Sequence, residues 1–379
     1  MTSLKVCSRC LLDSTIPGIT FDDKGECNYC RIHDQLEREY PLTQGKNKLD
    51  KIINKMKAGR KGRYDCVVGV SGGCDSSYLL HKVKQWGLNP LAVHFDNNWN
   101  TSTAKNNMDK MIESLNVDFL KIGVDKEEYD DICRSFLLAS TPDVDIPNDI
   151  ALATAAYIAA DKMGVPWIIN GHSFRTEGTT PLGWSYMDAK YIESLHSMFG
   201  RTKLKTFPNL WMSEWLRWII VKRIKRIRPL WFIDYQKEEV KKLLNETYGW
   251  EWYGGHHLEN RYTIFCTNYL QPKKFDIDLR YVEYSALVRS GQMERQEGLE
   301  KLGKTPEIDE AIIREVKTRL DFSDEEFERV MENPRKTHHD YDTYRPTFRR
   351  WRWFFWLASK LDLVPKTFYI KYTGVRHGT

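Results

Sequence analysis

The feature that most constrains this chain is a glycine turn set between an apolar run and an amphipathic one, over residues 64–86. Asp65-Cys66-Val67-Val68-Gly69-Val70 is β-branched and does not alternate, the pattern of a strand buried on both faces of a parallel sheet. Residues 75–86 place Leu79, Leu80 and Val83 on one side of a helix. Between the two lies Ser71-Gly72-Gly73-Cys74-Asp75-Ser76. Its glycines let the backbone turn several N–H groups inward, and the helix start adds partial positive charge. That geometry holds a phosphate. A bare Gly-Gly could equally relieve a βα turn, but the added hydroxyls and carboxylate favour a phosphate loop. No Gly-Lys-Ser/Thr follows the glycines, so the turn is not a Walker A sequence.

The alternation continues down the chain. Strands are expected at 91–95, 117–122 and 165–170, and helices at 104–115, around 127–138 and at 148–163, the last capped by Asn148 or Asp149. This predicts an α/β fold with a parallel sheet covered by helices on both faces. Ligands of such sheets sit beyond the carboxyl ends of the strands. Three strand ends are polar: residues 71–76, then Phe95-Asp96-Asn97-Asn98, then Gly171-His172-Ser173-Phe174-Arg175. Together they outline one crevice, with Phe95, Asp96, Gly171 and Arg175 as nucleotide contacts. Asp96 suits a ribose or a metal, or is an ordinary turn residue. Arg175 and Glu177 suit phosphates and magnesium, or form a surface ion pair.

Cys7-Ser-Arg-Cys10 and Cys27-Asn-Tyr-Cys30 form two knuckles whose spacing suits a closed, structural zinc site. Disulfides and an iron–sulfur cluster are the alternatives. The expected organisation is a four-cysteine module over 1–40, a nucleotide domain over 60–290 and a helical extension over 291–379. A basic linker, Gly59-Arg-Lys-Gly-Arg63, precedes the nucleotide domain.

No run approaches 18 apolar residues and the first ten residues lack a signal-peptide core, so a cytoplasmic protein is expected. The net charge of +5 is unevenly spread. Residues 200–236 carry nine lysines and arginines against two acids, and residues 343–379 carry eight against one, which leaves the remainder acidic. Tryptophans interleave the bases in both segments. A membrane surface, RNA or a protein partner would each suit them. The first also reads as a helical insert packed on the body. Farther on, residues 294–303, 307–320 and 324–332 read as helices, with Ser323 and Glu326 as a capping box.

The 71–76 loop resembles the signature of the PP-loop ATP pyrophosphatases, which adenylate an oxygen before a nucleophile displaces AMP. The order of features to about residue 336 resembles, more narrowly, the N-acetyl sugar amidotransferases of surface-polysaccharide biosynthesis. The discriminating stretches are His257-Leu-Glu-Asn-Arg-Tyr-Thr263, Lys274-Phe-Asp-Ile-Asp-Leu-Arg280 and Ser290-Gly-Gln-Met-Glu-Arg295.

The resemblance implies conversion of an acetamido group on a nucleotide-linked sugar into an acetamidino group. ATP and magnesium would be needed, with zinc in the cysteine module. Ammonia would come from a separate glutaminase, with a cyclase-like companion as a channel. Ser71, Gly72, Gly73 and Ser76 would then receive departing pyrophosphate, with magnesium near Asp75. His257 or Glu259 would be the general base. Glu177, Asn260, Arg261, Lys274 and Arg280 would hold the sugar, the three cations through its carboxylate or diphosphate; ion pairing within the helical region is the alternative for these cations. The two aromatic–basic segments are expected to dock the ammonia-delivering partner rather than nucleic acid or membrane. The rival activity is that of a tRNA-modifying PP-loop enzyme, a thiolase or lysidine-type ligase. A scaffold that binds ATP without turnover is the non-enzymatic alternative.

Overall fold

A computed structural model describes residues 4–361, except 182 and 256, together with 364 and 369. Two helices, α1 (Asn28–Glu39) and α2 (Leu42–Ala58), precede a five-stranded sheet. Its strands are β1 (Cys66–Gly69), β2 (Pro90–Asp96), β3 (Asp118–Gly123), β4 (Trp167–Ile169) and β5 (Lys225–Ile227). All pair in parallel in the order β3-β2-β1-β4-β5. The chain winds outward from β1 through β2 to β3, then returns to lay β4 on the other side of β1. The order therefore reverses between β1 and β4, and the crevice at such a switch point is where open α/β sheets bind ligands.

Both faces are covered, as expected. Successive residues of β1 point to opposite faces. Cys66 and Val68 join an apolar cluster with Leu79, Leu80 and Val83 of α3 (Cys74–Gln85), Met108 and Met111 of α4 (Ser102–Leu115), and Leu49, Ile53 and Met56 of α2. Val67 joins the opposite cluster with Ile132 and Phe136 of α5 (Lys126–Ala139) and Ile150 and Ala151 of α6 (Ile146–Met163). Leu79 and Leu80 have no exposed surface; burying each contributes about 1.5–3 kcal/mol.

Three sequence expectations need correction. Residues 200–236 are not simply a helical insert, because they supply β5. This strand is three residues long, and Lys225 and Arg226 are exposed, as suits a sheet edge that must resist further pairing. Trp218 stacks on Tyr157 at 5.2 Å, and Trp218 and Trp231 are both buried, so two of the four tryptophans here belong to the core. Second, α6 starts at Ile146, two residues earlier than expected, which makes Asp145 rather than Asn148 or Asp149 the N-cap residue. Third, Lys273 to Arg280, a stretch that by its sequence opens a helix running to Ser290, does not form one continuous helix. Gln271–Phe275 ends at Asp276, whose φ of +55° is left-handed, and Arg280–Arg289 follows. A further helix, α7 (Ala189–Phe199), was not anticipated. The Ser323–Glu326 capping box forms as read.

Candidate active site and four-cysteine cluster

β1 delivers its chain into the turn at the switch point. Gly72 has φ +80°, and a Cβ there would lie 2.0 Å from the Ala104 carbonyl oxygen of α4, so both backbone and space demand glycine. Gly73 is the N-cap of α3, and a Cβ on it would lie 3.1 Å from the Tyr253 hydroxyl and 3.2 Å from Glu259 Oε1. The N–H groups of Ser71, Gly73 and Cys74 donate only to hydroxyl oxygens, of Ser76, Ser71 and Tyr253, at 3.2–3.3 Å. An anion placed here would meet donors held by weak neutral bonds, at a helix start. Gly171, after β4, closes on the loop, with its Cβ position 3.3 Å from the Asp75 carbonyl oxygen. Trp250 Nε1 donates to the Gly72 oxygen at 3.0 Å and fixes the turn from below.

The crevice brings together Asp75, Glu177, His257 and Glu259. Asp75 accepts from the buried Tyr235 hydroxyl. Burial, and then the Asp75 charge, push Glu177 up to about 7. Glu177 accepts from the Ser173 N–H at 2.9 Å and lies 4.0 Å from His172 Nε2. His257 stands at φ +58°, its ring half exposed and 4.0 Å from Glu259 Oε1. Burial opposes its charge, but Glu259, then Glu177 and Asp149, outweigh it and raise His257 to about 10. Burial likewise opposes ionisation of Glu259, but His257 outweighs it and holds the carboxylate below its ordinary value. These carboxylates favour the imidazolium form of His257, which leaves Glu259 as the better candidate of the two for the base.

Glu259 is carried into the crevice by a short backbone splice. The Thr101 N–H donates to the Glu259 oxygen at 2.9 Å, Arg261 N–H donates to the Trp99 oxygen at 2.9 Å, and Asn100 bridges antiparallel to Asn260. Asn260 caps the helix Arg261–Phe265 and donates to Asn97 and Asn100, so its side chain is structural rather than turned to a sugar.

Other nominated residues are placed elsewhere. Arg175 is 3% exposed. Its Nε and Nη2 each donate to Glu37 at 2.7 Å, and its remaining bonds go to the Trp231 and Tyr40 carbonyls. This guanidinium ties α1 to the β4 loop and holds no phosphate. Arg261 forks onto Glu315 and the Asn100 oxygen, and Arg280 onto Asp278. Lys274 is buried against the Val330 carbonyl, and burial lowers it to about 8. These three cations hold the C-terminal helices together and do not reach the crevice as a sugar clamp. Phe95 lies in the core, and Asp96 accepts from Asn98 N–H at 2.9 Å and pairs with Lys121 at 2.5 Å.

Four residues near the crevice were missed. Asp145 keeps one buried oxygen without a partner, while Thr263 Oγ1 donates to the other at 2.8 Å. Burial, and then Asp149, push Asp145 up to about 8. Pro147 in the first turn of α6 was the available signal for its cap position. Tyr235 and Tyr253 gave no signal beyond their aromatic neighbours. Arg228 follows the unrecognised β5, its guanidinium 4.9 Å over the Trp231 ring; burial, and then Arg226, bring it down to about 10.

The four N-terminal cysteines are fully buried and their sulfurs lie within 4.8 Å of one another. The Cys7–Cys30, Cys10–Cys27 and Cys27–Cys30 sulfur distances are 3.8, 3.6 and 3.6 Å. Four sulfurs about 2.3 Å from one central ion would stand about 3.8 Å apart, so the set fits a single tetrahedral ion. A cubane cluster interposes its own iron before each thiolate and spreads the sulfurs wider. The cluster is clasped to the body: Arg289 donates to Cys10 Sγ at 3.2 Å, and Arg295 to the Cys7 and Cys10 carbonyls.

Residues 259–357 match the family described as LPS biosynthesis protein WbpG-like, C-terminal domain. Among curated proteins, the chain is 26% identical over 197 residues to a probable mitochondrial tRNA-specific 2-thiouridylase 1 of Caenorhabditis elegans, across 48% of this chain and 49% of that protein. It is 28% identical over 120 residues to the tRNA-specific 2-thiouridylase MnmA of Listeria welshimeri, across 28% of this chain and 32% of that one. The chain thus spans about half the length of the first relative and a third of the second. The NMN synthetase structure from Francisella tularensis aligns with 76% of this chain and 96% of its own at 13% identity, with a TM-score of 0.35. The NH3-dependent NAD synthetase from Campylobacter jejuni aligns with 71% and 99% at 14% identity, with a TM-score of 0.33. The WbpG-like region, joined to a parallel α/β sheet with this Ser-Gly-Gly turn, supports the family that the sequence resembles, the N-acetyl sugar amidotransferases of the PP-loop superfamily.

Proposed function

We propose that this chain adenylates the acetamido oxygen of an N-acetylated, nucleotide-linked sugar and replaces that oxygen with ammonia, giving an acetamidino sugar, AMP and pyrophosphate. The supporting observation is that Glu259, the first residue of the WbpG-like region, lies against the phosphate turn. The WbpG-like region thereby meets the turn that we assign to the nucleotide phosphates.

The amide oxygen attacks the α-phosphorus and the bond to the β-phosphate oxygen breaks. The N–H groups of Ser71, Gly73 and Cys74, with the Ser76 hydroxyl, receive the pyrophosphate charge. Asp75 and Glu177 offer the hard oxygen donors that a magnesium ion requires, and that ion would supply charge neutralisation. Adenylation makes the carbon electrophilic and turns its oxygen into a good leaving group. Ammonia then attacks that carbon, a proton passes to a carboxylate, and the carbon–oxygen bond breaks to release AMP. Glu259 is the carboxylate we assign to take the proton, with Asp145 able to do so only once it is ionised above about 8, while His257 as an imidazolium would steady developing negative charge. Arg228 is the cation we assign to the sugar's anionic group. A glutaminase supplies the ammonia, and zinc is the ion we assign to the cysteines.

A tRNA thiolase reading draws on the names of the curated relatives. It needs a reactive thiol, but Cys66, Cys74, Cys133 and Cys266 are buried, and burial raises all four. The deciding experiment measures AMP and pyrophosphate release with ammonium and a panel of acetamido sugar nucleotides, set against unmodified tRNA. Release with tRNA alone would replace the proposal by the thiolase or ligase reading.

A further inference from the structure

Among the described residues, the helix Arg352–Lys360 packs through one side. Phe355 and Ala358 enter the main apolar cluster, and Phe355 meets Phe348 edge-on at 5.3 Å. The opposite side is exposed and apolar: Trp351 is 48% exposed, Trp353 61%, Trp356 49%, Leu357 45% and Leu361 61%. Helical spacing gathers 353, 356, 357 and 360 on one half of the cylinder. Arg349, Arg350, Arg352 and Lys360 flank these rings and are exposed as well. Residues 343–361 contain no Asp or Glu between the flanking Asp342 and Asp362, so the cations outnumber the carboxylates here.

We infer that this face docks the protein onto an anionic lipid surface, with Trp353, Trp356 and Leu357 entering the headgroup region and the four cations meeting lipid phosphates. Three observations select this occupant. The charge on the face has one sign, which matches a uniformly anionic surface, whereas a protein interface usually mixes signs at its rim. Exposed leucines beside the tryptophans have no role in stacking on nucleic-acid bases, yet they gain from contact with acyl chains. The inner side of the helix is anchored by the buried Phe348 and Phe355, so the backbone that carries the face is already in place for docking. No described helix is long and apolar enough to cross a membrane, so attachment would be peripheral and reversible.

The test is flotation of the full chain with vesicles of phosphatidylglycerol and phosphatidylcholine in equal parts, beside vesicles of phosphatidylcholine alone. Binding is expected to the anionic vesicles and to be at least tenfold weaker to the neutral ones. Each cation near the surface contributes about fivefold, so R349E/R350E/R352E should abolish flotation. W353A/W356A should weaken it about tenfold, with circular dichroism and ATP turnover in solution unchanged. Equal binding to neutral vesicles, full retention by either variant, or tighter capture of single-stranded RNA than of anionic vesicles would overturn the inference.

Discussion

Arg175, on the loop after β4, grips Glu37 of α1 through two parallel bonds of 2.7 Å, and this pair joins the N-terminal helices to the rim of the nucleotide crevice. Buried guanidinium of this kind braces the site from behind. Removing Glu37 would leave its charge without a partner in a desolvated place.

Glu37→Ala is therefore expected to destabilise the protein by about 3–5 kcal/mol, because an uncompensated buried charge costs more than the pair contributes. Urea titration measures the loss. At temperatures where the variant stays folded, its KM for ATP should stay within about twofold of the parent, since no Arg175 donor faces the phosphates. A large rise in that KM with unchanged stability would return Arg175 to the binding site.

Glu177 gives a pH signature. With its folded value near 7 against an ordinary 4.5, the folded chain holds a proton that the unfolded chain has released across that window. Stability should fall as pH rises from 4.5 to 7, and Glu177→Gln should flatten that slope. ATP binding with magnesium should follow the opposite course, tightening as pH rises through about 7. The variant should lose this dependence along with most of its activity. A parental pH profile in the variant, measured by KM for ATP, would exclude the residue from the site.

Asp145 sets stability against function. Its carboxyl is neutral below about 8 and poorly accommodated when ionised above it. Asp145→Asn should raise Tm at pH 9 more than at pH 5. It should also slow amidine formation about 10²-fold or more if the carboxylate takes the ammonia proton. Single-turnover rates with preformed adenylate separate this from an effect on adenylation. A variant that is more stable and fully active would leave Glu259 as the sole acceptor.

For the cysteine cluster, metal analysis of the parent should find one zinc per chain. Cys7→Ser should lose it and cost at least about 3 kcal/mol, because closing the metal site is coupled to folding. Hydrogen exchange should rise in Arg280–Arg289 as well as in the knuckles, given the Arg289 and Arg295 bonds to the cluster. Exchange confined to residues 4–40 would show a module that folds without that clasp.

The parts of this protein legible in its sequence are those where local pattern and tertiary role coincide. An unbroken β-branched run, a double glycine and a helix start specify β1, the turn and α3 with no help from distant residues. Two C-x-x-C knuckles announce the cysteine cluster in the same way. Cations were the poorest guide. Arg175, Arg261, Lys274 and Arg280 look alike in sequence, and only folding reveals that each meets a carboxylate or carbonyl first. β5 was hidden because three residues with two exposed bases have no apolar pattern to read. Asp145 was hidden because an N-cap position usually directs its oxygen to its own helix, whereas here the side chain makes no capping bond.

The splice between residues 99–101 and 259–261 has a consequence for how the protein is made. Asn260 and the Asn100 that receives its hydrogen bond are separated by 160 positions. Glu259 can therefore reach the phosphate turn only after the chain beyond it has emerged from the ribosome. A nascent chain halted at residue 250 would display the Ser-Gly-Gly turn without Glu259, the carboxylate that faces Gly73 in the finished protein.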